Sequence, residues 1–137
     1  LQVRIPSYAF PSSYEKKSRA NTILSVTGAN QGIGLGIAEV CLANSAARVF
    51  SLDISSPSDD FAAMQKKYPN KFEYIHTDVT SEESVAKALD TIVERTGRFD
   101  GMIANAGMTR HQPALDFTMA QVEQLFKLNG YGAWICA

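Results

Sequence analysis

Apolar positions along this chain change period repeatedly, and each change marks an element. Thr22 to Val26, "TILSV", is a short β-prone run, and Gly34 to Leu42, "GLGIAEVCL", then sets Ile37, Val40 and Cys41 at helical spacing. A strand followed by a helix is predicted. Arg48 to Asp53, "RVFSLD", reads as a second strand. In the following "SSPSDD", Ser56 suits an N-cap, Pro57 the first helical position, and the acids the positive helix end. That helix should run to about Tyr68 and stop at Pro69. Phe72 to His76 is a third strand. Thr80 and Glu83 form a capping box ahead of Val85, Ala88, Leu89 and Ile92, an i, i+3, i+4, i+7 stripe on a helix ending near Gly97. Gly101 to Ala104 is a fourth, buried strand. Thr118 and Gln121 form a second capping box, opening a helix with Val122, Leu125 and Phe126.

Strands separated by helices predict parallel β-α-β units with helices on both sheet faces. The fold class is therefore α/β, a doubly wound parallel sheet that stops after its fourth strand and the helix behind it. The "NSAAR" turn before the second strand lacks glycine, so Asn44 is expected to supply any left-handed residue it needs. Residues 1–20 carry Pro6, Pro11 and a basic cluster of Lys16, Lys17 and Arg19 with no regular period. They are expected to be a flexible tail, and residues 21–137 the domain.

The chain's 137 residues fit one domain. With 45% hydrophobic residues, 20% charged residues and a formal net charge of -1, there is no electrostatic case for nucleic acid or anionic lipid. A small neutral or phosphate-bearing ligand is left open. Cys41 and Cys136 lie far apart without His or Cys neighbours at ligand spacing, so no metal site or disulfide framework is expected. No apolar stretch approaches the roughly 20 residues that cross a bilayer. The tail's prolines oppose an amphipathic presequence, and a cytoplasmic location is expected.

Candidate chemistry begins in "SVTGANQGIG", Ser25 to Gly34. Gly28, Gly32 and Gly34 fall where the first strand hands over to the first helix. Glycine permits positive φ, and its missing Cβ lets a diphosphate approach backbone N–H groups at the positive helix end. The same glycines could serve only a tight turn. Asp53 lies about 20 residues further on, at a strand end, where a carboxylate accepts from adenosine ribose hydroxyls. It would repel a 2′-phosphate, which favours NAD over NADP unless Arg48 or the tail's basic cluster lies alongside. A strand-end acid or a cap is the plainer reading of Asp53.

"TGANQGIG" (Thr27 to Gly34), with "DVT" at Asp78 to Thr80, "NAG" at Asn105 to Gly107 and "KLNGYGA" at Lys127 to Ala133, resembles the motif series of the short-chain dehydrogenases/reductases. The resemblance covers about Asn21 to Ala137 and implies a Rossmann-type, NAD(P)-dependent oxidoreductase acting on a secondary alcohol or ketone. "SLDIS" and "HTDVTSEESVAKALDTI" look most like sugar or polyol members. It also implies roles. Asn30 and the Gln31-Gly32-Ile33 backbone would line the ribose and diphosphate, with Ile33 near the nicotinamide. Ile54 would join Asp53 at the adenosine end. Asp78 would accept from the adenine amino group while the Val79 N–H donates to the ring. Asn105, Ala106 and Gly107 would border the cofactor ribose, with Thr27 a hydrogen-bond partner for Asn105. Asn129 matches the asparagine of the family's catalytic tetrad, which interrupts its helix and holds a water of the proton relay. Val122, Phe126, Asn129 and Ala133 share one helical stripe, so that amide is expected to face the sheet. Plain alternatives stand beside these roles: a loop cap for Asp78, an ordinary turn for "NAG" and a helix-end Asn-Gly for Asn129.

The family also needs a serine and a YxxxK pair, and no YxxxK occurs in this sequence. The chain is thus expected to be the cofactor-binding half of an enzyme, inactive alone, whose full-length form is a homo-oligomer. A non-catalytic dinucleotide-binding or interaction module is the alternative. A methyltransferase-like protein would leave "DVT", "NAG" and "LNGYG" without roles. His76 and His111 read as surface or packed residues, Phe126 and Trp134 as core residues, and Arg110 and His111 as distant candidates for substrate contact.

Overall fold

The computed structural model describes residues 21–137; the expected tail, residues 1–20, lies outside the described residues. Four strands, β1 (Ile23–Thr27), β2 (Arg48–Asp53), β3 (Phe72–His76) and β4 (Gly101–Ile103), form one parallel sheet in the order β3-β2-β1-β4. Between them run α1 (Gly32–Ala43), α2 (Asp59–Lys67) and α3 (Glu82–Thr96). After β4 come a 3-10 turn (Ala114–Asp116), α4 (Met119–Phe126), a π-helical segment (Lys127–Gly132) and a last short turn (Ala133–Ile135).

Alternation along the strands sends side chains to opposite faces, and each face has its own core. Val26, Val49 and Phe72 meet Ala38 and Leu42 of α1 and Phe61 and Met64 of α2. The Phe61 and Phe72 rings lie 4.4 Å apart. On the other face Ile23, Phe50 and Leu52 meet Ala88 and Ile92 of α3. Burying each of the larger side chains stabilises the fold by about 1.5–3 kcal/mol. Thr27 pairs with Leu52 and Asp53 with His76, so the strand ends are nearly level and their loops open on one edge of the sheet.

Several element ends differ from the sequence expectation. Strand β1 is one residue later than expected, and α1 begins at Gly32 instead of Gly34. The α2 N-cap is Ser58, accepting from the Phe61 N–H at 3.1 Å, which leaves Ser56 and Pro57 in the loop. The α3 N-cap is Ser81, accepting from the Ser84 N–H. Thr80 cannot form the expected box with Glu83 because its hydroxyl donates to Asp78, 2.8 Å away. Asn44 is not left-handed, with φ -99°; Ser45 takes that conformation at +73°, while the Asn44 amide donates to the Val40 carbonyl. Gly97 does close α3 as a left-handed cap, and the Thr118–Gln121 capping box is present.

Candidate active site

The level strand ends frame a cleft of about 700 Å³. One wall is the turn from β1 into α1, where the glycines meet unlike constraints. Gly28 has φ +65°, and a Cβ there would come 2.9 Å from the Ala106 Cα. A Cβ on Gly34 would overlap the Gly28 carbonyl oxygen and press on the Asn105 amide. Both glycines are thus required by the protein's own packing. Gly32, φ +57°, differs: nothing lies within 4 Å of its absent Cβ, and it lines the cleft. Helix α1 starts here with no side-chain cap and no acid in its first turn, so its positive end stays unneutralised. Ile33, 79% exposed, stands beside it and lines the same space with Gln31.

Strand β4 hands over to "NAG" against this turn. The Thr27 hydroxyl accepts from the N–H groups of Asn105 (2.9 Å) and Ala106 (2.8 Å), and the Asn105 amide donates to the Thr27 carbonyl at 2.9 Å. The expected Thr27–Asn105 partnership is therefore present, and Asn105, Ala106 and Gly107 form part of the cleft wall.

Asn30 sits elsewhere than expected. Its side chain is 1% exposed and spent inside the fold: Oδ1 accepts from the Ser51 hydroxyl at 2.7 Å, and Nδ2 donates to the Ser55 carbonyl. It does not line the cleft. A polar residue in a glycine loop looks equally suited to ligand or fold, and here the buried Ser51 hydroxyl below it decides.

Two carboxylates face the cleft. Asp53, ending β2, accepts from the Asn30 N–H (3.1 Å) on Oδ2, and from the Ser55 N–H (2.9 Å) and hydroxyl (2.7 Å) on Oδ1. Ile54 and Ser55 extend that wall. Arg48 starts the same strand, about 16 Å away at 3.3 Å per residue, where it pairs with Glu73 and lies over the Phe50 ring. It does not accompany Asp53. Asp78, after β3, accepts from the Thr80 N–H (2.9 Å) and hydroxyl (2.8 Å). These bonds, with smaller help from the Lys127 and His76 charges, hold its carboxyl below the usual carboxylate range. Val79 is buried, with a methyl 3.0 Å from where a Gly132 Cβ would stand.

Asn129 is exposed, as is Phe126, so the expected sheet-facing stripe is not kept. For Asn129 the reason is the π-helical segment, whose wider turn rotates every residue after Phe126 off the 3.6-residue register; Phe126 itself ends α4 ahead of that segment, and both it and Trp134 are exposed where core positions were expected. The expected local interruption of the helix falls in this segment. Asn129 instead clamps the loop after "NAG": its Oδ1 accepts from the Met108 N–H and its Nδ2 donates to the Met108 carbonyl, each at 2.9 Å.

Gln124, Lys127 and Leu128 also line the cleft and were not singled out from sequence. Their i, i+3, i+4 spacing was the available signal, since it puts all three on one helical face. Arg110 reaches the cleft's margin by donating to Gln124 at 3.0 Å, whereas His111 does not line it. Among the described residues no group of three or more His, Cys, Asp and Glu could hold a metal ion, and no helix is long and apolar enough to cross a membrane.

Comparison with known proteins bears on this geometry. A family model described as short chain dehydrogenase matches residues 22–137. Cis-4-hydroxycyclohexanecarboxylate dehydrogenase of Sinomonas cyclohexanicum is 30% identical over 118 residues, 85% of this chain and 47% of that protein. L-2,3-butanediol dehydrogenase of Corynebacterium glutamicum is 29% identical over 115 residues, 82% of this chain and 44% of that protein. Among solved structures, a short-chain dehydrogenase from Streptomyces avermitilis superimposes with a TM-score of 0.74 at 27% identity, over 85% of this chain and 42% of that one. The chain thus spans less than half the length of these relatives.

Proposed function

The chain belongs to the short-chain dehydrogenase family, and from that premise we propose that it forms the nicotinamide-dinucleotide-binding half of an oxidoreductase acting on a secondary alcohol and its ketone. The observation that carries the reading is the open main chain at Gly32, facing the cleft at the uncapped start of α1, with the Asp53 carboxylate on the same wall. A diphosphate and a ribose fit these two features respectively.

Each lining group then has a task. The N–H groups of Gly32 and Ile33 hold the diphosphate, and Gly28 and Gly34 let the turn close against Ala106 and Asn105. Asp53 accepts from the adenosine ribose, with Ile54 beside the adenine. Asp78, kept ionised by Thr80, accepts from the adenine amino group, and the Val79 N–H donates to the ring. Asn105, Ala106 and Gly107 border the second ribose. Asn129 acts as a positioning residue, since both ends of its amide are committed to Met108. Bound there, a nicotinamide dinucleotide would supply the hydride donor or acceptor. The serine and YxxxK of the family mechanism have no match among these 137 residues, so the chain alone is expected not to turn over. For substrate, we place a sugar or other polyol first; the diol in the name of the Corynebacterium relative supports that class.

Cofactor choice follows from charge. Asp53 favours the 2′-hydroxyl of NAD over the 2′-phosphate of NADP, and among the described residues the only basic side chain lining the cleft, Lys127, lies on the Asp78 side. Fluorescence titration of Asp53→Ala should show NADH binding weakened about tenfold, the loss of a hydrogen bond to a charged group, with NADPH affected less. Equal losses for the two coenzymes, or none, would remove Asp53 from the ribose.

A further inference from the structure

The Asp53 carboxylate is held from two directions, and that restraint has a consequence for selectivity, resting on the dinucleotide reading of the cleft. A carboxylate offers about four acceptor positions. Ser55 fills two on Oδ1 with its N–H and hydroxyl, and the Asn30 N–H takes one on Oδ2. Asn30 is itself fixed: Ser51 donates to its Oδ1, its amide donates to the Ser55 carbonyl, and the Ser58 hydroxyl donates to its carbonyl at 2.6 Å. The turn before α1 and the loop before α2 are thereby tied into one unit around the carboxylate.

An unrestrained aspartate at a strand end could turn away from a 2′-phosphate by rotating about its side-chain bonds. This one must break bonds from both loops to do so. The sole basic residue lining the cleft among the described residues, Lys127, belongs to the segment after α4, on the Asp78 side. It gives a 2′-phosphate at Asp53 no counter-charge.

We propose that Ser55 and Asn30 are specificity-determining residues that lock the Asp53 carboxylate in place, so that rejection of NADP depends on the lock as well as on the charge. Ser55 is the residue to test because it is exposed and its hydroxyl serves only Asp53 among the bonds described. In the whole chain, NADH and NADPH affinities would be measured by fluorescence titration for wild type, Ser55→Ala, Ser55→Thr and the same Ser55→Ala change in an Asp53→Ala background. Ser55→Ala should lower the NADH-over-NADPH preference by about three- to tenfold, one hydrogen bond's worth, mostly through tighter NADPH binding. Thermal unfolding should not move. Ser55→Thr should restore the preference, and in the Asp53→Ala background the serine change should do nothing to it.

A preference unchanged by Ser55→Ala, or altered equally without Asp53, overturns the lock while leaving the dinucleotide reading intact. A wild-type chain that binds neither coenzyme removes both together. Ser58→Ala, which loosens Asn30 from a third position outside the cleft, should give a smaller shift in the same direction; a shift toward NADH would count against the lock.

Discussion

Gly32 and Gly34 stand two positions apart in the first turn of α1 yet answer to different neighbours, and the difference is open to measurement. Alanine at Gly34 drives a methyl into the Gly28 carbonyl, so it should destabilise the fold by more than about 2 kcal/mol, the scale of overpacking. Alanine at Gly32 meets only open space and a positive φ, a cost of about 1–2 kcal/mol, but it places the methyl where the diphosphate belongs. Chemical denaturation and NADH titration should therefore rank the two variants differently. All three glycine positions were legible because the spacing is local; that Ala106 and Asn105 require two of them was not, since those contacts join residues more than seventy positions apart. Asp78 yields a pH prediction. Its folded value is depressed, so its charge and the small stability it contributes are present above the ordinary carboxylate range and are lost only as pH falls through the lowered value. A carbon-13 titration of its carboxyl group should show that depression, and Thr80→Val, which removes the hydroxyl donor, should raise the midpoint toward the ordinary value.

Helix ends show how far local pattern reaches. Thr118 and Gln121 cap α4 reciprocally as the spacing predicts, and the Gln121 Oε1 keeps its bond to the Thr118 N–H while also accepting from the Gln112 amide. Thr80 fails at the same task one helix earlier, where Asp78, two residues back, captures its hydroxyl and hands the cap to Ser81. Ser81→Ala should accordingly cost about 1 kcal/mol in urea unfolding, and Thr80→Ala should leave the α3 cap intact, its own cost coming through Asp78. The opposite ranking would restore the cap to Thr80. Beyond Phe126 the helical stripe misleads for a different reason, since a π-helical turn changes the periodicity that any amphipathic reading assumes. The Asn129–Met108 clamp belongs with it, a contact made by a residue that the straight-helix register had turned toward the sheet.

For the whole molecule, the alternation of strand and helix was enough to announce a parallel α/β sheet, and the motif resemblance supplied the family that the comparisons then showed. What the alternation could not supply was how level the strands lie, and level ends are what bring Gly32, Asp53, Asp78 and Asn105 onto one edge. Two separate cores, one on each face, hold that edge in register: moving β2 by one residue would exchange its faces and turn Phe50 and Leu52 away from the core under α3. The site is therefore a property of sheet register more than of any single loop, and the central claim is that this edge receives a nicotinamide dinucleotide. A crystal structure of the protein grown with NAD tests it most directly. The diphosphate should lie against the Gly32 and Ile33 N–H groups and the adenosine ribose on Asp53. A coenzyme bound elsewhere, or lying reversed with its nicotinamide end at Asp53, would contradict it.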